Sequence, residues 1–259
     1  MRGPRAAYSR RVTRIALQLY TIREECDRDL EATLRRVGAL GYDGVELFQL
    51  HGHTPEQVCG WLDDAGLAAA GRHARLESFE DELDALAAEL AALGTDRAAQ
   101  SWADPEAIRD PAPLLERMER AARAARDSGI RFGFHNHWTE LEPLDGGGTF
   151  LDRLRELPAD LVWLELDLGW IWHAGGDPLA ELEATAGRCP LVHVKDYASR
   201  EGRDDVPVGD GAVGYDRVIP AALEAGVEWL VVEEDDVGPH PFEAVDRSLD
   251  AVRRFAERA

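Results

Sequence analysis

Residues 30–48, LEATLRRVGALGYDGVELF, hold one complete folding unit. Leu30, Leu34, Val37 and Leu40 keep helical spacing, Gly41 stops the helix, and Gly44–Phe48 reads as a short apolar strand. Working outward, the unit recurs. Strand-like runs lie at Ile15–Tyr20, Leu67–Ala70, Arg97–Gln100, Arg131–His135, Leu161–Leu166, Leu191–Val194 and Trp229–Glu233. Between them Thr54-Pro55-Glu56-Gln57 supplies a capping box with Pro at the first helical position, and Gly66 ends that helix. Phe79, Leu83, Leu86, Leu90 and Leu93 form one stripe up to Gly94, and Leu115, Met118, Ala122 and Ala125 another that ends before Gly129. Thr149 and Asp177-Pro178 read as later helix starts, and Phe242, Val245, Leu249, Val252 and Phe255 as the closing helix.

Strict alternation of strand and helix predicts a parallel sheet covered by helices, either open or closed. Eight strand–helix units within 259 residues predict the closed form, a (β/α)8 TIM barrel in a single domain over residues 13–259. The basic residues Arg2, Arg5, Arg10, Arg11 and Arg14 predict a flexible N-terminal tail, with its bounds set at 1–12. No Gly-x-Gly-x-x-Gly turn follows the first strand, which removes the dinucleotide-binding reading of an open sheet. Gly146-Gly147-Gly148 lacks the Lys-Ser/Thr of a phosphate loop and reads as a flexible turn.

The 29 Lys and Arg against 50 Asp and Glu give a formal charge of −21, which repels a phosphate backbone and argues against nucleic acid as a partner. Three scattered cysteines, Cys26, Cys59 and Cys189, suggest neither a disulfide framework nor a thiolate metal site, and point to a reducing, cytoplasmic setting. No run approaches the roughly 20 apolar residues of a membrane span, so no membrane partner is expected.

In such a barrel the side chains at the C-terminal strand ends converge on one pocket. Gln18 and Tyr20, Glu46, His73, His135-Asn136-His137 with Glu140, Glu165 and Asp167, His193, Lys195 and Asp196, and Glu233, Glu234 and Asp235 all fall there. Oxygen and imidazole donors from successive strands suit one divalent ion, Mn, Mg, Co or Zn, in a catalytic rather than a structural role. Because alternate side chains share a face, Glu165 goes with Asp167, His193 with Lys195, and Glu233 with Asp235. The bland readings stand beside these. A lone strand-end histidine such as His73 is as often a satisfied core group; Trp163 reads as core and Trp170 as pocket. Lys195 pairs with a neighbouring carboxylate as often as it catalyses. Glu234, Asp235 and Asp236 read as a solvated acidic loop, which leaves Glu233 as the functional member.

Phe134-His135-Asn136-His137-Trp138-Thr139-Glu140-Leu141, Glu165-Leu166-Asp167-Leu168-Gly169-Trp170 with Gly175-Gly176-Asp177-Pro178, Leu191-Val192-His193-Val194-Lys195-Asp196, Val208-Gly209-Asp210-Gly211 and Val232-Glu233-Glu234-Asp235 together resemble the sugar phosphate isomerase/epimerase family of xylose-isomerase-like barrels. Each motif alone is weak, but five in order over nearly the whole chain are fairly specific. The resemblance implies one divalent metal held by a carboxylate after strand five, Asp167, His193 and Glu233. Many relatives carry a Glu where this chain has His135, so Glu140 is assigned as the fourth ligand with His135 as its substitute. It further implies isomerisation, epimerisation or dehydration of a keto sugar, inosose or related polyol through an enediolate. Glu140 and Glu233 would act as base and acid, and Lys195 would stabilise the enediolate. His73, His135, His137, Glu46 and Trp170 would bind the substrate. The competing readings are a non-catalytic sugar-binding barrel and a metal-dependent hydrolase like the endonuclease branch of the superfamily, to which a charge of −21 is badly matched. The phosphate in the family name is not carried over, because Val208-Gly209-Asp210-Gly211, where such barrels bind phosphate, has a carboxylate in its middle. Barrels of this kind commonly pair, which leaves a homodimer open.

Overall fold

The computed structural model describes residues 13–259; the expected basic tail, 1–12, lies outside them, but Arg14, expected with that tail, instead opens the first strand and stacks on the Trp229 ring at 4.0 Å. Eight parallel strands close into a barrel: β1 (Arg14–Gln18), β2 (Gly44–Leu47), β3 (Ala68–Ala74), β4 (Arg97–Gln100), β5 (Arg131–His135), β6 (Val162–Asp167), β7 (Leu191–Val194) and β8 (Trp229–Val232). Neighbours in sequence are neighbours in space, and β1 pairs with both β2 and β8. Helices run back between consecutive strands, and Pro241–Ala256 closes the circuit. The chain is therefore a single-domain TIM barrel. Among the described residues no helix is long and apolar enough to cross a membrane.

The local signals act where the sequence puts them. Thr54 and Gln57 make both bonds of the capping box on helix Pro55–Ala65, satisfying two amides that the helix cannot pair internally. That helix ends at Gly66, whose φ of +70° would strain a side chain. Thr149 caps helix Phe150–Glu156, and Asp177 caps Pro178–Ala184.

Two elements differ from expectation. The stripe from Phe79 to Leu93 is two helices, Leu76–Asp81 and Leu83–Leu93, because Glu82 between them leaves helical geometry at φ −127°, ψ 24°. In helix Pro111–Asp127 the fully buried leucine is Leu114, with Leu115 on its flank.

Most of the core lies between strands and helices. A second cluster, Ala16, Ala70, Ala99, Trp163, Leu191, Trp229 and Val231, plugs the barrel itself. The plug needs Gly133: a Cβ there would sit 2.3 Å from the Trp163 ring, which crosses over from the adjacent strand. Trp163 is thus core, its indole N–H donating to Arg131 O at 3.0 Å. With one end filled, polar side chains can gather only toward the other.

Candidate metal centre and active site

Strand register sets the level of each group. His135 on β5 lies beside Glu165 on β6, Asp167 on β6 beside His193 on β7, and His193 beside Val231 on β8, two residues before Glu233. His135, Asp167, His193 and Glu233 each offer a ligand atom, all within 4.8 Å of one another, and all four are buried. Two atoms in the group are buried without a hydrogen-bond partner, Asp167 Oδ2 and His135 Nδ1. Asp167 Oδ2 has the Lys195 ammonium at 3.6 Å, beyond hydrogen-bond reach, and a buried carboxylate oxygen without a hydrogen bond is costly, so a cation at closer range fits this donor set. Nitrogen and oxygen donors without thiolate suit Zn, Mn, Co or Mg.

Glu140 is not in this group; His135, its substitute, is. Residues 139–141 form a tight turn after β5, and Glu140 Oε2 accepts from His137 N at 2.9 Å and Thr139 Oγ1 at 3.0 Å. Glu140 instead lines the cavity at the mouth, and burial raises its pKa above that of an ordinary glutamate.

Beneath the four-residue group lies a second polar layer. Glu46, expected to reach substrate from strand two, is fully buried there. Its Oε2 takes hydrogen bonds from Gln18 Nε2 at 2.8 Å and His193 Nε2 at 2.7 Å, and lies 3.1 Å from His73 Nε2. Glu165 Oε2 lies 2.8 Å from His73 Nε2, and its Oε1 is another buried oxygen without a hydrogen bond, 3.8 Å from His193 Nε2. His73, His135, Glu165 and His193 form a second group able to hold a cation, sharing two histidines with the first. Burial disfavours charge on His73, yet Glu46 and Glu165 outweigh it and raise its pKa to about 9. Burial and the charge of Glu46 push Glu165 up to about 7.

Lys195 is buried but surrounded by acids: Asp235 Oδ2 at 3.0 Å, Glu233 Oε2 at 3.2 Å and Asp167 Oδ2 at 3.6 Å. Burial works against its charge, and Glu233, Asp167 and Asp235 overcome that and hold it protonated. Burial raises Asp167 to about 7, opposed by Lys195. Tyr215 fixes the lysine's backbone, its hydroxyl bonding both Lys195 N and O at 2.8 Å. Asn136 Oδ1 accepts from Asp167 N at 3.1 Å, tying β5 to the β6 end.

His73, His135, His137 and Trp170 all line the mouth cavity, of about 790 Å³, as do Glu140 and Glu233. The His137 ring packs edge-on to His135 at 4.9 Å, and burial, then Lys195, lowers its pKa to about 4. Sequence reasoning set aside Asp235, which pairs with Lys195; its shared face with Glu233 was the available signal. It gave no role to Glu165, Trp138 or Arg203. A two-stranded ribbon, Asp196–Tyr197 with Asp205–Val206, brings Arg203 over the Trp138 ring at 3.8 Å.

Residues 34–255 match the family model of the xylose isomerase-like TIM barrel, and the chain belongs to that family. Among individual proteins, it is 28% identical over 152 residues to an inosose dehydratase of Clostridium beijerinckii, half of this chain and 49% of that one. A sugar phosphate isomerase/epimerase from Parabacteroides distasonis superposes with a TM-score of 0.77 at 23% identity, covering 97% of this chain and 96% of that one. An IolI protein whose structure holds a zinc atom superposes at 0.73 and 15% identity, covering 95% and 98%. At these identities the two structures show the shared fold.

Proposed function

We propose that the chain is a divalent-metal-dependent isomerase, epimerase or dehydratase acting on an unphosphorylated keto sugar or inosose. The observation that carries this is the set His135, Asp167, His193 and Glu233, brought by four consecutive strands to within 4.8 Å, with His135 and Glu233 lining the mouth cavity and two ligand atoms, Asp167 Oδ2 and His135 Nδ1, buried without a hydrogen bond. Those four residues would hold the ion. When bound, it supplies Lewis acidity that polarises a carbonyl and acidifies the neighbouring C–H.

The chain's own residues do the rest. Glu140, held by His137 N and Thr139 on one oxygen, takes the proton. Lys195 carries a fixed positive charge beside Asp167 and Glu233, where the negative enediolate oxygen would develop. Return of the proton to the opposite face epimerises, delivery to the next carbon isomerises, and loss of a β-hydroxyl dehydrates. Similarity over half of this chain to an inosose dehydratase of Clostridium beijerinckii favours the last for an inosose.

The absence of a phosphate from the substrate rests on Asp196. Its carboxylate accepts from Gly209 N, Gly211 N, Tyr197 N and Val213 N at 2.9, 3.1, 3.0 and 3.2 Å. Amides that could cradle an outside anion are thereby filled by the chain's own.

The test is elemental analysis of protein purified without chelator, beside His135→Ala, Asp167→Ala and Glu140→Ala. About one equivalent of metal, lost in the first two variants and kept in the third, is expected. It should accompany solvent-deuterium incorporation into inososes or keto sugars. No metal after reconstitution would sink the reading.

A further inference from the structure

The cavity above the metal group is larger than the reaction needs. Its volume of about 790 Å³ lies in the upper part of the roughly 300–1,000 Å³ occupied by drug-sized ligands, whereas a keto sugar is a single small ring. The two large apolar side chains exposed among the described residues, Tyr20 at 41% and Trp102 at 56%, both line this one cavity. Leaving an indole in water is unfavourable unless a ligand covers it.

The aromatic groups are arranged around the rim. Tyr20 follows β1 and Phe48 follows β2, their rings meeting edge to face at 5.3 Å. Trp138 follows β5 and Trp170 follows β6, 4.7 Å apart. In a closed ring of eight strands each faces the strand four places on, so these pairs stand on opposite walls. Trp102, after β4, lies between them. Arg203 stacks on Trp138 at 3.8 Å and on Trp170 at 5.6 Å, stiffening one wall from the ribbon. The charged groups lining the cavity are five acids, Glu140, Asp205, Glu233, Asp235 and Asp236, against Arg72, Arg75 and Arg203, and of the three arginines Arg72 is paired with Glu89 and Arg203 is stacked on tryptophan. A flat, uncharged ring suits such walls better than a phosphate or carboxylate, which would meet the excess of acids.

We propose that the cavity has an outer subsite, walled by Tyr20, Phe48, Trp102 and Trp138, for a second neutral ring attached to the reacting sugar. The substrate is then a glycoside or disaccharide derivative rather than a free monosaccharide. This rests on the sugar-enzyme reading above for the identity of the inner ring. The inner ring sits against His73, His137 and the metal group, and the outer ring stacks between the aromatic walls.

Calorimetry and tryptophan fluorescence on manganese-loaded protein test it with paired probes: glucose against phenyl β-glucoside, glucose against cellobiose, and myo-inositol against an inositol glucoside. In at least one pair the two-ring member should bind about tenfold more tightly. Trp102→Ala and Tyr20→Ala, both altered at exposed positions, should each remove about three- to tenfold of that preference while leaving one-ring binding unchanged. No two-ring preference in any pair, or a preference that survives both variants, overturns the subsite. So does a fall in assembly mass in Trp102→Ala, which would mean that a second copy of the chain covers the aromatic rim. Metal content and deuterium exchange on the same preparations keep the two ideas apart. Metal and exchange without a two-ring preference sink the subsite alone; a two-ring preference in protein that takes up no metal sinks the sugar-enzyme reading alone.

Discussion

Glu140 and His135 are five positions apart in sequence, yet the structure puts His135 in the four-residue group and Glu140 outside it, in the role of base proposed above. Glu140 faces the cavity, with burial raising its pKa. A base must be unprotonated, so the rate should fall as pH drops through that pKa, and the acid limb should lie above the pH of an ordinary glutamate. Glu140→Gln should remove the limb together with about 10²–10⁴-fold of the rate, while metal content stays intact; a pH–rate profile beside elemental analysis checks both. Strand alternation put Asp167, His193 and Glu233 on shared faces with Glu165, Lys195 and Asp235, and the family resemblance, not the alternation, singled them out. The choice between His135 and Glu140 was not legible, because it turns on how residues 139–141 coil after the strand. The contacts of Glu46 and Glu165 with His73 were equally hidden, one made between neighbouring strands and one across the barrel, between residues 27 and 92 positions apart.

Strands and helices were legible where their period is long enough to count. Arg97–Gln100, Arg131–His135 and Leu191–Val194 fall at the residues the pattern marks. The ribbon of Asp196–Tyr197 and Asp205–Val206 was not, since two residues a side carry no period and two of the four are Asp. The break at Glu82 left the apolar stripe unchanged and so was invisible to it. At this scale the barrel plug makes a sharp demand: Gly133→Ala would drive a methyl into the Trp163 ring. It should cost about 1–3 kcal/mol, read as a lower urea midpoint at unchanged slope. An unchanged midpoint would mean that the two tryptophans repack freely.

For the whole molecule, fold class followed from the eightfold recurrence, but the mouth's aromatic rim did not, because its members come from loops after five different strands. The three thiols report on global integrity. Cys26 and Cys189 are buried and pushed up to about 12 by that burial, while Cys59 is partly exposed. Native protein should react with about one equivalent of thiol reagent, and unfolded protein with all three cysteines; fast reaction of all three in the native state would contradict the packing. Ring closure has a consequence in time as well as in space. β1 needs β8 as its second neighbour, and the ribosome makes β1 more than 200 residues earlier. Throughout translation the nascent chain therefore carries an unpaired strand edge open to other chains. Synthesis of β8, from Trp229, is what hides it.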